Sequence, residues 1–282
     1  VEAFNGRPWA ELERVALERL RGENDALRRF IIERRLYPLL RVLLSENDVQ
    51  TMTERSASGE LVELPIDPSQ IRFQAPDGAG YRLDFEGSTA VLRVPSFARS
   101  RAAEFEAFLP EAFAAIAERG STRLIIDLSQ NGGGAHDLSD QLMAYLTDKL
   151  YTATSAITAR ITPENQPLVP GSQLGEVVTV PFAEPVTPPP QLEHRFTGDV
   201  EILLGAKTYS QAIVFAATAQ DHGLARLVGE SPQAPANQTG QVQTHTLTNT
   251  GFSVRAPIYI IYRHSGDRSR APLVVEASGR SG

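Results

Sequence analysis

The stretch TYSQAIVFAATA, Thr208 to Ala219, entered from the apolar run Val200-Glu201-Ile202-Leu203-Leu204-Gly205, decides how this chain is read. A short apolar run closed by glycine has the length and residue types of a strand, and the alanine-rich segment after it has those of a helix. Ser210 therefore stands at a strand-to-helix turn. The first N–H groups of a helix have no partner within it, so a hydroxyl held there lies beside donors able to face a developing oxyanion. An acyl-transfer nucleophile needs that arrangement. Serine is equally a preferred helix N-cap, a role in which its oxygen accepts one of those N–H groups and does nothing more. Both readings are open at this point.

A second strand-to-helix junction lies upstream. Arg123-Leu124-Ile125-Ile126-Asp127-Leu128 is a nearly continuous apolar run, of the kind that forms a strand covered on both faces. It leads into Ser129-Gln130-Asn131-Gly132-Gly133-Gly134 and then a helix from about His136 to Leu146. Three consecutive glycines permit close backbone approach and exposed N–H groups, which suits a phosphate cradle, an oxyanion hole or a plain tight turn. The G-x-G-x-x-G spacing of a dinucleotide site is absent, and no Gly-Lys-Ser/Thr follows as in a Walker loop. Upstream again, Tyr81 to Phe85 and Ala90 to Val94 flank Glu86-Gly87 as a hairpin. Phe105, Phe108, Leu109, Ala112, Phe113 and Ile116 then recur at helical spacing, with Pro110 expected to kink or split the helix and Gly120 to end it.

Residues 162–195 are rich in Pro, Gln and Gly and read as a long loop over the site region or a mobile excursion. After the helix of Ser210, Leu224 to Val228 reads as a strand. Gln241 to Leu247 and Phe252 to Tyr262 read as two more, joined by Asn249-Thr250-Gly251, and the tail is polar. At the other end, Asn5-Gly6-Arg7-Pro8 is a turn signal, followed by helical patterns over Trp9 to Leu20 and Asn24 to Leu44 separated by Gly22. Trp9, the single Trp, is read as a core or staple residue beside that turn. The texture changes at Pro76-Asp77-Gly78. Residues 1–76 are accordingly read as a helical region with a linker, and 77–282 as the main domain.

Composition narrows the functions. The 282 residues carry 27 Lys plus Arg against 34 Asp plus Glu, a net of −7, which disfavours nucleic acid as a partner. With no cysteine, disulfides, thiolate catalysis and Cys-ligated zinc are excluded together. No metal or cofactor is expected. The run Ala212 to Ala219 is far shorter than the ~20 apolar residues that span a bilayer, so no membrane span is expected either. The chain starts at Val1 without a signal-peptide pattern, which reads as a processed or trimmed start.

Together these pieces resemble the carboxyl-terminal processing, or tail-specific, protease family, whose relatives include tricorn protease. The matching segments are AVLRVPSF (Ala90 to Phe97), LIIDLSQNGGG (Leu124 to Gly134), Leu204 to Ala217 with its Thr-Tyr-Ser, LARLVGE (Leu224 to Glu230) and the Asn249 to Gly251 turn. The resemblance implies an α/β fold, a crotonase-like layered core of β-β-α units, with a small N-terminal region; residues 1–75 would be the end of a peptide-binding module and its linker. It places the nucleophile on Ser210 and the oxyanion hole on the N–H of Gln211 and of Gly132 or Gly133. One donor after the nucleophile and one from a separate glycine loop is what two-donor stabilisation requires. The resemblance also implies a peptide or protein substrate, a bacterial periplasmic or secreted setting, and leaves an oligomer open.

The general base does not carry over. Many members use a lysine shortly after the Gly-Glu pair, where this chain reads Ser231-Pro232-Gln233-Ala234-Pro235-Ala236-Asn237, and Lys207 is the last lysine. Members similar to tricorn protease use an upstream histidine and a downstream acid. The acid falls near Asp267, and the base is expected upstream of this chain. His222, twelve positions along the helix from Ser210, would lie ~18 Å away. His136 reads first as an exposed helix-start residue, the other reading being an approach to Ser210 across the sheet end; His264 beside Asp267 reads as a surface residue, and alternation sends Lys207 to the opposite strand face unless the turn intervenes. A serine peptidase with an acyl-enzyme is the leading reading. The alternative is a catalytically silent peptide- or lipophile-binding module on the same fold, which a covered apolar pocket would favour, and a thioester or acyl hydrolase rests on fold analogy alone.

Overall fold

Two parallel strands of very different sequence position, residues 123–127 and 199–204, lie side by side in one sheet, and that register brings the two strand-to-helix junctions to one end of it. The computed structural model describes residues 1–20, 25–44, 49–67, 69 and 80–276. The chain divides into units of residues 1–78 and 79–282. The domain boundary read at Pro76-Asp77-Gly78, and Gly22 between the first helical patterns, lie outside the described residues.

The first unit holds β1 (Ala3–Phe4), β2 (Arg7–Pro8), α1 (Trp9–Arg19), α2 (Asp25–Arg34), α3 (Leu36–Leu44), β3 (Thr51–Arg55) and β4 (Leu61–Pro65). Asn5 and Gly6 both take positive φ, 45° and 71°, the backbone a tight hairpin turn between β1 and β2 demands. Trp9 meets buried Phe4 edge to face, ring centroids 6.1 Å apart. Two features differ from the sequence reading. A four-stranded sheet, order β2-β1-β3-β4, accompanies the helices, and of its strands only β4 falls on the strand-like runs that the sequence shows from Leu61 to Phe73. The second helical pattern is also broken at Arg35, because Pro38 has no N–H to donate to the carbonyl of Arg34 and is tolerated only in the first turn of a new helix.

The second unit runs β5 (Arg82–Glu86), β6 (Thr89–Arg93), α4 (Ala102–Glu118), β7 (Arg123–Asp127), α5 (His136–Ala144), β8 (Tyr151–Thr152), β9 (Thr154–Arg160), β10 (Val177–Pro181), β11 (Pro185–Val186), β12 (Asp199–Leu204), α6 (Gln211–Asp221), β13 (Arg226–Gly229), β14 (Gln238–Thr246) and β15 (Ser253–Arg263). Its main sheet has the order β13-β12-β7-β6-β5, parallel from β13 to β6, with β5 antiparallel at the edge. A second sheet, β10-β9-β15-β14, is antiparallel throughout. The fold is α/β. Among the described residues no helix is long and apolar enough to cross a membrane.

The core lies against one face of the main sheet. Leu124 and Ile126 of β7 are fully buried with Val200, Ile202 and Leu204 of β12 and most of α6. The expectation that β7 is covered on both faces is corrected: Arg123, Ile125 and Asp127 are half-buried. On that face the buried Glu201 carboxylate bridges Arg123 and Arg226, each at 2.5 Å, a charged ladder across three strands.

Pro110 does not split α4, which is one helix. Its ring is exposed, so the Glu106 carbonyl it leaves without a donor belongs to the solvent face. Gly120 does end the helix, at φ 65°, with Ser121 N–H to Ile116 and Gly120 N–H to Ala117, both orphan carbonyls of the last turn. Residues 162–195 are not one loop: β10 within them pairs with β9 along five residues. Nor is the tail wholly polar at the surface, since Leu273 is buried in the core and Glu276 bridges Val228.

Candidate active site

β7 and β12 point the same way, so both chains leave the sheet at one end, and their exits are hydrogen-bonded together. Leu128 N–H donates to the Leu203 carbonyl at 2.9 Å, and the Leu128 carbonyl accepts the buried Thr208 hydroxyl at 2.8 Å. Thr208 Oγ1 in turn accepts the Gly205 N–H at 3.0 Å, which folds residues 205–208 into a turn. Tyr209 N–H then donates to the Asn131 carbonyl at 3.0 Å. The two loops are one unit of structure.

Ser210 sits where the sequence places it, immediately before α6. Its backbone has φ 53° and ψ −125°, a conformation L residues avoid, and its hydroxyl makes no capping hydrogen bond. The ordinary N-cap reading fails on that second point. Holding a non-glycine residue at such angles costs on the order of 1–3 kcal/mol, and such strain gathers at functional positions. A sharp strand-to-helix elbow of this kind lifts a serine oxygen clear of the helix and toward solvent. Ser210 is half-buried and the preceding Tyr209 is 40% exposed, so the elbow is open to a substrate.

The glycine loop presses on that elbow. A Cβ built on Gly133, whose φ is 94°, would stand 2.7 Å from Ser210 Cβ, 2.7 Å from the Tyr209 carbonyl and 2.8 Å from the Gln211 nitrogen. Only glycine fits there. Gly134 is as confined, its hypothetical Cβ 2.0 Å from the Phe97 carbonyl oxygen. Ser210, Gln211 and Gly133 are thus brought together, with Gly132 next in the chain.

The donors differ from the expectation in one respect. Gln211 N–H, the first of α6, and Gly132 N–H make no hydrogen bond among the described residues, whereas Gly133 N–H donates to Asn131 Oδ1 at 2.8 Å. An Asn side chain accepting from the residue two places on is a local turn the sequence permits, and here it engages one of the two glycine donors proposed for the hole. The Gln211 side chain points elsewhere, donating to Ser139 Oγ on α5 at 2.9 Å.

The remaining candidates are not assembled at Ser210. Asp267 is exposed in the turn after β15, where its carboxylate accepts the N–H and hydroxyl of Ser269; those bonds hold its pKa below the usual carboxylate range. His136 is exposed and lies 3.5 Å from Asp140. His222 bonds the Thr152 carbonyl at 2.9 Å and lies against His264, ring centroids 4.1 Å apart and planes tilted by 32°. Lys207 is in the turn rather than on the strand, and its Nζ donates to Gln130 Oε1 at 2.7 Å beside the glycine loop. Among the described residues no group of three or more His, Asp or Glu is placed to hold a metal ion.

Sequence reading missed Asn131 and Thr208, both buried and both joining the two loops. The signal was present as polar residues flanking Gly-Gly-Gly and Tyr-Ser, but their bonds span strands far apart in the chain. A cavity of about 470 Å³ lies beside α4 and α5, apolar at Leu109, Tyr145 and Leu192, and edged by the carboxyl groups of Glu106, Asp137 and Asp140. It does not include Ser210, and its acidic edge is not that of a covered lipophile chamber.

The chain shares its fold with mature CPAF, at 15% identity and a TM-score of 0.66, over 98% of this chain and 71% of that one. A putative peptidase from Parabacteroides merdae matches at 15% identity and a TM-score of 0.53, over 95% of this chain and 87% of that one. No curated protein matches the sequence. The sequence model of Peptidase family S41 matches residues 88–274, which take in the hairpin of β5 and β6 from its turn, both loops and the antiparallel sheet. By that match the chain belongs to peptidase family S41.

Proposed function

We propose that this chain is a serine peptidase acting on unstructured peptides, with Ser210 as nucleophile. Ser210 Oγ attacks the scissile carbonyl, the C–N bond breaks as the amine leaves with a proton, and water then hydrolyses the acyl-enzyme ester. Gln211 N–H and a glycine-loop N–H face the oxygen on which negative charge develops, and such a donor is worth about 10²–10³ in rate. The base that takes the hydroxyl proton is proposed to come from outside these 282 residues, a reading supported by the contacts of Lys207, His136, His222 and His264, each of which is with a group other than Ser210. One observation carries the reading: Ser210 is held at positive φ with a hydroxyl that caps nothing, against a glycine that no other residue could replace.

Labelling with a fluorophosphonate tests it. The chain is expected to label at Ser210, faster when imidazole is supplied as an exogenous base, and Ser210→Ala is expected to remove the label. Equal labelling of Ser210→Ala would overturn the assignment. Labelling indifferent to imidazole would place the base within the chain, and Lys207, His136 and His264 would then be substituted in turn.

A further inference from the structure

Asn131 is fully buried, yet every polar atom it has is committed, and the commitments reach three strands. Its Nδ2 donates to the Val94 carbonyl just beyond β6 at 2.9 Å, and its own N–H donates to Leu128 beyond β7 at 2.9 Å. Its carbonyl accepts the Tyr209 N–H of the serine elbow at 3.0 Å, and its Oδ1 accepts the Gly133 N–H at 2.8 Å. The amide has one orientation that serves both side-chain bonds, nitrogen toward a carbonyl and oxygen toward an N–H. We propose that Asn131 is the positioning residue of this site, fixing the glycine loop against the Ser210 elbow and holding the Gly133 N–H until an oxyanion takes it; this rests on the peptidase reading above.

The chemistry of the exchange follows from acceptor strength. The Asn131 amide oxygen is a neutral acceptor, and hydrogen bonds to an ionised oxygen are roughly twice as strong as neutral ones. A ground-state carbonyl has no such advantage over Asn131. The tetrahedral oxyanion has it, so the Gly133 N–H transfers when charge develops and not before. An interaction stronger in the transition state than in the ground state raises kcat rather than lowering KM. Asn131 does not itself touch the reacting atoms in this arrangement.

Two variants separate this from a purely structural role. Asn131→Ala removes both side-chain bonds; Asn131→Asp keeps an acceptor for Gly133, makes it charged, and turns an oxygen toward the Val94 carbonyl. Amide hydrogen exchange at Gly133, with Leu124 and Ile126 as references, reads the bond without requiring activity. Exchange at Gly133 is expected to rise at least about 10-fold in Asn131→Ala and to stay slow in Asn131→Asp, with the references protected in both. Ser210 labelling is expected to fall about 10²-fold in both at pH 7. For Asn131→Asp the ratio to parent is expected to recover as pH falls and the new carboxyl becomes a neutral donor. Gly133 exchange unchanged in Asn131→Ala, or labelling of either variant at the parental rate, would overturn the proposal. A parent that does not label overturns the peptidase reading itself, and the catalytic part of this role with it, while the exchange data still decide whether Asn131 holds Gly133.

Discussion

The exits of β7 and β12 and the exit of β15 belong to the same unit and end differently. The first two leave parallel neighbours in a sheet whose inner face is fully buried, and their loops bond to each other through Thr208, Asn131 and Tyr209. The third leaves an antiparallel sheet at the surface, and Asp267 there bonds to Ser269 two residues on. Parallel register places two distant segments at one end of a sheet with their backbone groups unpaired, and packing compels them to pair with each other. At the β15 exit the Asp267 carboxylate bonds locally, while the backbone carbonyls of Asp267 and Ser269 accept Asn237 Nδ2 at 2.9 and 2.7 Å. Ser210, Gln211 and Gly133 meet at the first kind of exit, while the Asp267 carboxylate bonds Ser269 at the other.

The contact between the two parallel exits is the part most easily broken. Gly133→Ala inserts a methyl into positions 2.7 to 2.8 Å from backbone and Cβ atoms of the elbow, at a φ of 94°. Ser210 labelling is expected to fall about 10²-fold or more while a cooperative melt survives at lower temperature. Parental labelling by a folded Gly133→Ala protein would show the loop to be a turn and no more.

The Asp267 carboxylate, bonded to Ser269 alone among the described residues, makes the opposite forecast. Asp267→Ala removes an exposed turn bond and is expected to leave labelling within about twofold and Tm within about 2 °C. A fall in labelling by the ~10²–10⁴-fold typical of a lost acid or base would return Asp267 to the site and make the two kinds of exit alike.

The smallest effect is a pH dependence at the end of β15. Burial chiefly, with the neighbouring His222, lowers the pKa of His264, and Asp221 opposes them. Asp221 is itself forked by Arg263, so the charged groups around the two rings are that pair and the rings themselves. A His with a depressed folded pKa contributes stability in full above the unfolded value of about 6.5 and loses it as pH falls through the folded value. Melts from pH 8 to pH 5 are expected to show a slightly steeper loss for the parent than for His264→Gln. Identical slopes would mean that His264 titrates alike in the folded and unfolded chain.

Local pattern determined much of this protein. The strand-to-helix junctions at residues 128–136 and 204–211, the β5–β6 hairpin, the β14–β15 arm and the αL glycine ending α4 are each fixed by the few residues that form them, through periodicity and turn chemistry. Ser210 was legible for the same reason, and the motif order carried the family resemblance. Other features needed the tertiary structure. The break at Arg35 and the unbroken α4 depend on whether a proline lies in a first turn or on a solvent face. β10 exists because β9 supplies a partner, and Leu273 is buried because the core has a place for it.

At the site the division is the same. The sequence put a serine at an elbow and three glycines at a loop; it did not say which N–H would be free. The Gly133 N–H is taken by Asn131 Oδ1, and Asn131 is itself held by the Tyr209 N–H on its carbonyl, a bond that joins segments nearly eighty residues apart. A hydrogen bond is directional over a few tenths of an ångström, and that precision comes from strand register and packing, which no local pattern encodes.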